Sequence, residues 1–147
     1  MSILLNTFAL LMGALVSIYL PMITQTAKIL KSAPLANVPF FGVALFSSIG
    51  IAALTGSREK EFSGIISLPV WLFTAGIMSA LMVLGSSYLI PRIGLNAFFV
   101  LLVSGQIIAG MVFSQFGLFG TPVSSISVSK IGGAVMVMLG AYLVTYK

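Results

Sequence analysis

Polar side chains are so scarce in this 147-residue chain that the few lying inside its apolar stretches stand out. At about 100° per residue, Ser2, Asn6, Gly13, Ser17, Thr24, Lys28 and Lys31 fall within roughly 40° of one line along the first apolar stretch. Leu10 and Leu20 interrupt that line, and Leu, Ile, Val, Phe and Met dominate the opposite faces. A later stretch carries Ser104, Gly105 and Gln106 near its middle. The chemistry open to these groups is hydrogen bonding, with Gln106 alone offering two donors and an acceptor. Bond-making chemistry lacks its parts. With no Cys and no His the chain has no thiolate, disulfide framework or usual zinc or haem site. Isolated serines without a base are not activated nucleophiles, and no Gly-rich phosphate loop is present. The sequence therefore reads as a non-enzyme that needs no cofactor or metal.

The elements that must position these residues are membrane helices. Apolar residues make up 59% of the chain and charged residues 6%, with a mean hydropathy of +1.20, against roughly 25% charged in soluble domains. A helix needs about 20 apolar residues to cross a core of about 30 Å. Five stretches reach or approach that length: Ile3 to Ile23, Leu35 to Thr55, Ile65 to Ile90, Leu95 to Phe113 and Ile131 to Tyr146. Turn and charge signals separate them, namely KILKSAP, TGSREKEFSG, PRIG and SQFGLFGTPVSSISVSK. Pro21 predicts a kink or a change of angle late in the first span, and the short fifth span is thin, little tilted, or extended back through Val128. The fold class is all-α, a single transmembrane domain over residues 1–147. MSILLNTF has no basic n-region and no cleavage signal follows, so the first span is expected to stay in the mature protein.

Two readings of the polar positions compete. In one, hydroxyls and amides join helices by hydrogen bonds. In the other, Asn6, Ser17, Thr24, Ser104 and Gln106 line a cleft and contact a small molecule, with Tyr19 and Trp71 as further candidates. Trp71 and Tyr146 also suit an aromatic belt at the span ends. Asn96, just after PRIG, is expected to cap the fourth helix. Ser79, Met82 and Ser86 share a side of the third span. Small residues recur every four positions at Ala44, Ser48, Ala52 and Gly56, at Gly76 and Ala80, and at Gly105 and Ala109, which permits close helix approach in lipid.

Charge placement bears on orientation. If all five spans cross, Arg58, Lys60 and Lys130 lie on one side and Lys28, Lys31, Arg92 and Lys147 on the other, three against four. The usual excess of Lys and Arg that fixes orientation is nearly missing, so two insertions of the same chain and an inverted pair are both feasible. Scattered as they are, the basic residues form no nucleic-acid face and suit interfacial anchors. The only carboxylates, Glu59 and Glu61, lie in a loop, so no span carries the carboxylate on which a proton-for-cation exchanger depends. Neutral or zwitterionic cargo, or an anion drawn to Lys28, fits better than an organic cation.

Beyond these physical readings, LPVWLFTAGIMSALMVLGSSYLIPRIG, SGQ in the fourth span, the FGLFG turn and Lys130-Ile131-Gly132 opening the last helix carry a resemblance. So, further upstream, do GAL at Gly13 to Leu15 and PLAN at Pro34 to Asn37. The chain resembles the small five-helix YdcZ-like branch of the drug/metabolite transporter superfamily. It departs from that pattern at Ile23, Thr24 and Gln25, where the branch has Asn followed by a basic residue, and at Ser114-Gln115, where Asp-His is common. No residue matches the first-helix Glu of the superfamily's smallest multidrug exporters. The resemblance implies five helices per subunit in a bacterial inner membrane, with dimers of oppositely oriented copies in some members. Paired genes for a paralogous five-helix partner, or fused repeats, occur in others.

The leading expectation is a small-molecule exporter working by alternating access as an antiparallel homodimer of ten helices embedded in the lipid bilayer. The alternatives are a dual-topology ion channel, with linear and unsaturated flux, or an accessory subunit of a heterodimeric transporter. Because the chain lacks Cys, orientation is open to direct test: a Ser57→Cys variant is expected to label in two populations, one from each face of intact membranes. Labelling from one face alone would rule out self-inversion.

Overall fold

The computed structural model describes residues 2–56 and 62–146, without the side chain of Ser2. Arg58, Lys60, Glu59, Glu61 and Lys147 lie outside the described residues, so the balance of charge rests on sequence. Among the described residues there is no strand, and five helices carry the fold: α1 (Ser2–Ile29), α2 (Ala33–Leu54), α3 (Thr74–Ile93), α4 (Leu95–Phe116) and α5 (Val128–Thr145). Each is long and apolar enough to cross a membrane, the third when counted from Val70.

Their ends differ from the simplest hydropathy limits for local reasons. α1 runs through Pro21 to Ile29, losing at Pro21 only the N–H that would have met the Ser17 carbonyl. At 28 residues it is about 42 Å long, so it must tilt in, or project from, a core of about 30 Å. The third span starts late because Gly64–Ser67 is a separate 3-10 turn and Pro69 precedes a second one at Val70–Phe73. α5 starts early, at Val128, because Ser127 takes an extended conformation and its Oγ accepts from Lys130 N at 3.3 Å. Asn96 does not cap α4. Gly94, at φ 82°, holds that position without a side-chain bond.

Residues 1–91 form one compact unit. Its centre is the α1–α2 hairpin, closed by three residues. Lys31 N donates to Lys28 O at 3.3 Å and Ser32 N to Ala27 O at 3.1 Å, with Lys31 at φ 51° in the place a glycine usually takes. Lys31 is therefore outside α1 and leaves the polar line expected for it. Ser32 then caps α2, its Oγ accepting from Leu35 N at 3.3 Å. Leu20, Ile23, Thr24 and Ala27, at helical spacing, are buried, as is Ala36 of α2. Tyr19 stacks on Phe40 with ring centres 5.7 Å apart. α3 is tied in where Asn37 Nδ2 donates to the Ala80 carbonyl at 3.0 Å, so the small Gly76/Ala80 spacing opens α3 backbone to an amide.

Residues 92–147 form the other compact unit, in which α4 and α5 pack side by side. The connection folds back on the end of α4. Gly117, at φ 61°, ends the helix with its N–H on Phe113 O, and Phe119 and Gly120 also take positive φ. Ser124 N then donates to Ser114 O at 2.9 Å and Ile126 N to Gln115 Oε1 at 2.7 Å. At Ser114-Gln115, a carbonyl and an amide thus brace a loop.

Gly117 is needed twice over, since a Cβ there would stand 2.9 Å from Val123 Cγ2 as well as at positive φ. Gly117→Ala is expected to cost about 1–2 kcal/mol, seen as a lower melting temperature in detergent. Gly132→Ala, in helical backbone with open space at Cβ, should melt no lower than the parent.

Candidate functional site

Inside an apolar protein layer, the groups that can recognise a molecule are polar atoms left with unused hydrogen-bonding capacity. Hydroxyls mostly use theirs at home. Ser17 Oγ donates to Gly13 O (3.3 Å), Thr24 Oγ1 to Leu20 O (3.0 Å) and Ser104 Oγ to Val100 O (2.8 Å). Such back-bonding occupies the hydroxyl proton and leaves only lone pairs.

Among the described residues of the unit 1–91, two buried side-chain atoms have no partner, Asn37 Oδ1 and Ser87 Oγ. Each has a local cause. The Asn37 amide is oriented by its bond to Ala80 O, which leaves its carbonyl unmatched. Ser87 would bond the carbonyl of Val83, four residues earlier, but Ser86 Oγ already donates there at 2.7 Å. Ala80 and Ser87, seven residues apart, lie on one face of α3 with a rise of about 10 Å between them. Thr24 is buried on α1 at 4% exposure. The unit thus holds unused hydrogen-bonding capacity at Asn37 Oδ1, at Ser87 Oγ and on the lone pairs of Thr24 Oγ1.

In the unit of residues 92–147, an open groove of about 610 Å³ lies between α4 and α5. Its walls include Ile107, Met111, Ala134 and Val137, with Gly110 and Gly133 adding no side-chain bulk. Ser114, Ser124 and Lys130 form its polar part. Lys130 Nζ donates to Ser124 Oγ at 2.6 Å and to Ser125 O at 2.7 Å. A second cleft of about 280 Å³ on these helices is lined by apolar residues alone, and Met111 and Ala134 border both.

Residues 4–143 match a family described as "Putative inner membrane exporter, YdcZ". The chain belongs to the YdcZ family. No curated protein and no solved structure matches it. As a YdcZ-family member it is a multi-pass protein of the inner membrane, in a family of transporters and not of enzymes.

Within this YdcZ-family chain, the residues singled out by sequence fall into three groups. Thr24 and Ser104 are buried, at 4% and 8% exposure. Tyr19 is partly covered by Phe40, and Trp71 is exposed in the turn leading to α3. Asn6, Ser17 and Gln106 are exposed, and neither amide meets a hydrogen-bond partner among the described residues. Ser79 is exposed while Ser86 is fully buried, so the side they were expected to share with Met82 is covered only toward its C-terminal end. Sequence reading passed over Asn37 and Ser87 as site residues and took Lys130 for an anchor. A signal was available for the first, an Asn one turn inside a membrane helix whose cap is a different residue. None existed for Lys130, whose role depends on how the preceding loop folds.

Asn37→Leu would remove one hydrogen bond of about 1 kcal/mol together with an unmatched buried carbonyl. The two effects nearly offset, so its melting temperature in detergent should stay close to the parent's. A loss above about 3 kcal/mol would mean that the carbonyl is partnered after all.

Proposed function

We propose that the chain is one subunit of a small-molecule exporter. Two oppositely oriented copies, each a single transmembrane domain, form a ten-helix antiparallel homodimer that moves cargo by alternating access. The observation that carries this reading is Gln106. It stands at the midpoint of α4, a helix of 22 residues, exposed and unpaired, where hydrocarbon offers a primary amide nothing to bond and the cost is several kcal/mol. Another protein surface or a polar cleft has to cover it. An in-plane two-fold axis returns mid-membrane residues to their own depth, so the partner's Gln106 is available to the same cleft.

Asn6 on α1 calls for cover in the same way, and Ser17, its proton already on Gly13 O, adds an exposed acceptor. Thr24, Asn37, Ser87 and Ser104 supply acceptors deeper in the protein, while Tyr19 and Trp71 contribute aromatic surface. With cargo held by hydrogen bonds and no carboxylate in any span, neutral or zwitterionic molecules fit this machinery best. Membership of an exporter family supports the direction of transport.

Two measurements on one set of cells test the reading. A Gln106→Cys variant in native membranes is expected to form a disulfide-linked dimer under mild oxidation. Cells expressing the parent protein should tolerate some members of a panel of neutral and zwitterionic toxic compounds, with the tolerance lost in Asn37→Leu despite normal protein levels. Saturable counterflow of such a compound in proteoliposomes completes the case. Linear, unsaturable flux would replace the carrier by a channel, and absence of any cross-link would remove the paired Gln106.

A further inference from the structure

The groove between α4 and α5 is the larger of the two described on these helices, and Lys130 gives it a charge. A lysine at the end of a membrane helix ordinarily extends toward water and headgroups. Lys130 instead turns back, its ammonium held by Ser124 Oγ at 2.6 Å and Ser125 O at 2.7 Å beside the groove it helps to line. Two of its three N–H bonds are thereby used and one is left. Nothing anionic among the described residues can take it, because both carboxylate side chains of the chain, Glu59 and Glu61, lie outside them.

The loop that positions the ammonium is itself braced. Ser124 N is held by Ser114 O and Ile126 N by Gln115 Oε1, so the cation is fixed before any ligand arrives, which lowers the ordering cost of binding. Below it the walls are apolar, and at Gly110 and Gly133 an added Cβ would meet no atom within 4 Å. The site is a charge at the mouth of an oily slot.

We propose that this groove binds a small amphipathic carboxylate, its anionic head on Lys130 with Ser114 and Ser124 and its apolar body along Met111, Ala134 and Val137. Charge complementarity selects the head and the apolar lining selects the body. The binding site rests on the groove and not on the exporter reading, whose cargo is neutral or zwitterionic.

The test uses the full-length protein in phosphatidylcholine nanodiscs, with naphthaleneacetate as probe, naphthaleneacetamide as its neutral match and empty nanodiscs as the blank, read by calorimetry. The parent is expected to bind the acid at least about tenfold more tightly than the amide, as a charge-assisted hydrogen bond implies. Lys130→Met should remove that preference and Lys130→Arg should keep it. Gly133→Leu, placed where open space admits a side chain, should weaken acid and amide alike with the melting temperature unchanged. Equal affinity of the parent and Lys130→Met for the acid would overturn the proposal. So would loss of acid binding when phosphatidylglycerol is added to the nanodiscs, since the occupant would then be a lipid. Lys130-dependent binding of the acid would uphold the site even where counterflow of neutral and zwitterionic compounds fails and the exporter reading falls. Cross-linking through Gln106→Cys without Lys130-dependent binding would count against the site alone.

Discussion

Hydrocarbon gives a polar group nothing to bond with, and nearly every local feature of this chain answers that one constraint. The backbone answers it by becoming helix. Short hydroxyl side chains answer it by donating to their own helix four residues back, as Thr7, Ser17, Thr24, Thr26, Ser48, Ser104 and Thr145 all do. Primary amides carry two donors and an acceptor and cannot all be satisfied this way. Asn6, Asn37 and Gln106 are thus the side chains that bind a neighbouring helix or await something outside the chain.

The same constraint separates what holds the helices from what they recognise. Few side chains are buried by the chain itself: among the described residues the largest that are buried almost completely are Leu20 and Ser86. In water so small a core would not support a fold, whereas in a membrane the lipid covers the remaining Leu, Ile, Val and Phe. Packing is then left to small residues and a few directional bonds, such as Asn37 on the Ala80 carbonyl. The polar atoms that escape both devices are few enough to name.

Periodicity and hydropathy made the five helices legible, because apolar length is a property of the sequence itself, while the start of α5 at Val128 was settled by the Ser127 cap. The polar line on α1 was legible as a pattern and not as a site. Its hydroxyls turned out to be bonded to their own backbone, and Lys31 fell out of line because the helix closes two residues earlier in a left-handed turn. Ser87 could not be found from sequence, since its lack of a partner depends on Ser86 reaching the Val83 carbonyl first. Lys130 needed the loop from Gly117 to Ser127 in place, a segment whose positive-φ residues at Gly117, Phe119 and Gly120 leave no repeating pattern to read.

Ser32 has a meaning for how the chain lies in the bilayer. Its N–H closes α1 on the Ala27 carbonyl, and its hydroxyl opens α2 on Leu35 N, so one residue finishes one helix and starts the next. The turn around it comprises Leu30, Lys31 and Ser32, a reach of roughly 10 Å at full extension. A link that short keeps the adjoining ends of α1 and α2 on the same side of the bilayer, so once both are inserted they stand as antiparallel neighbours, a hairpin already joined at its turn.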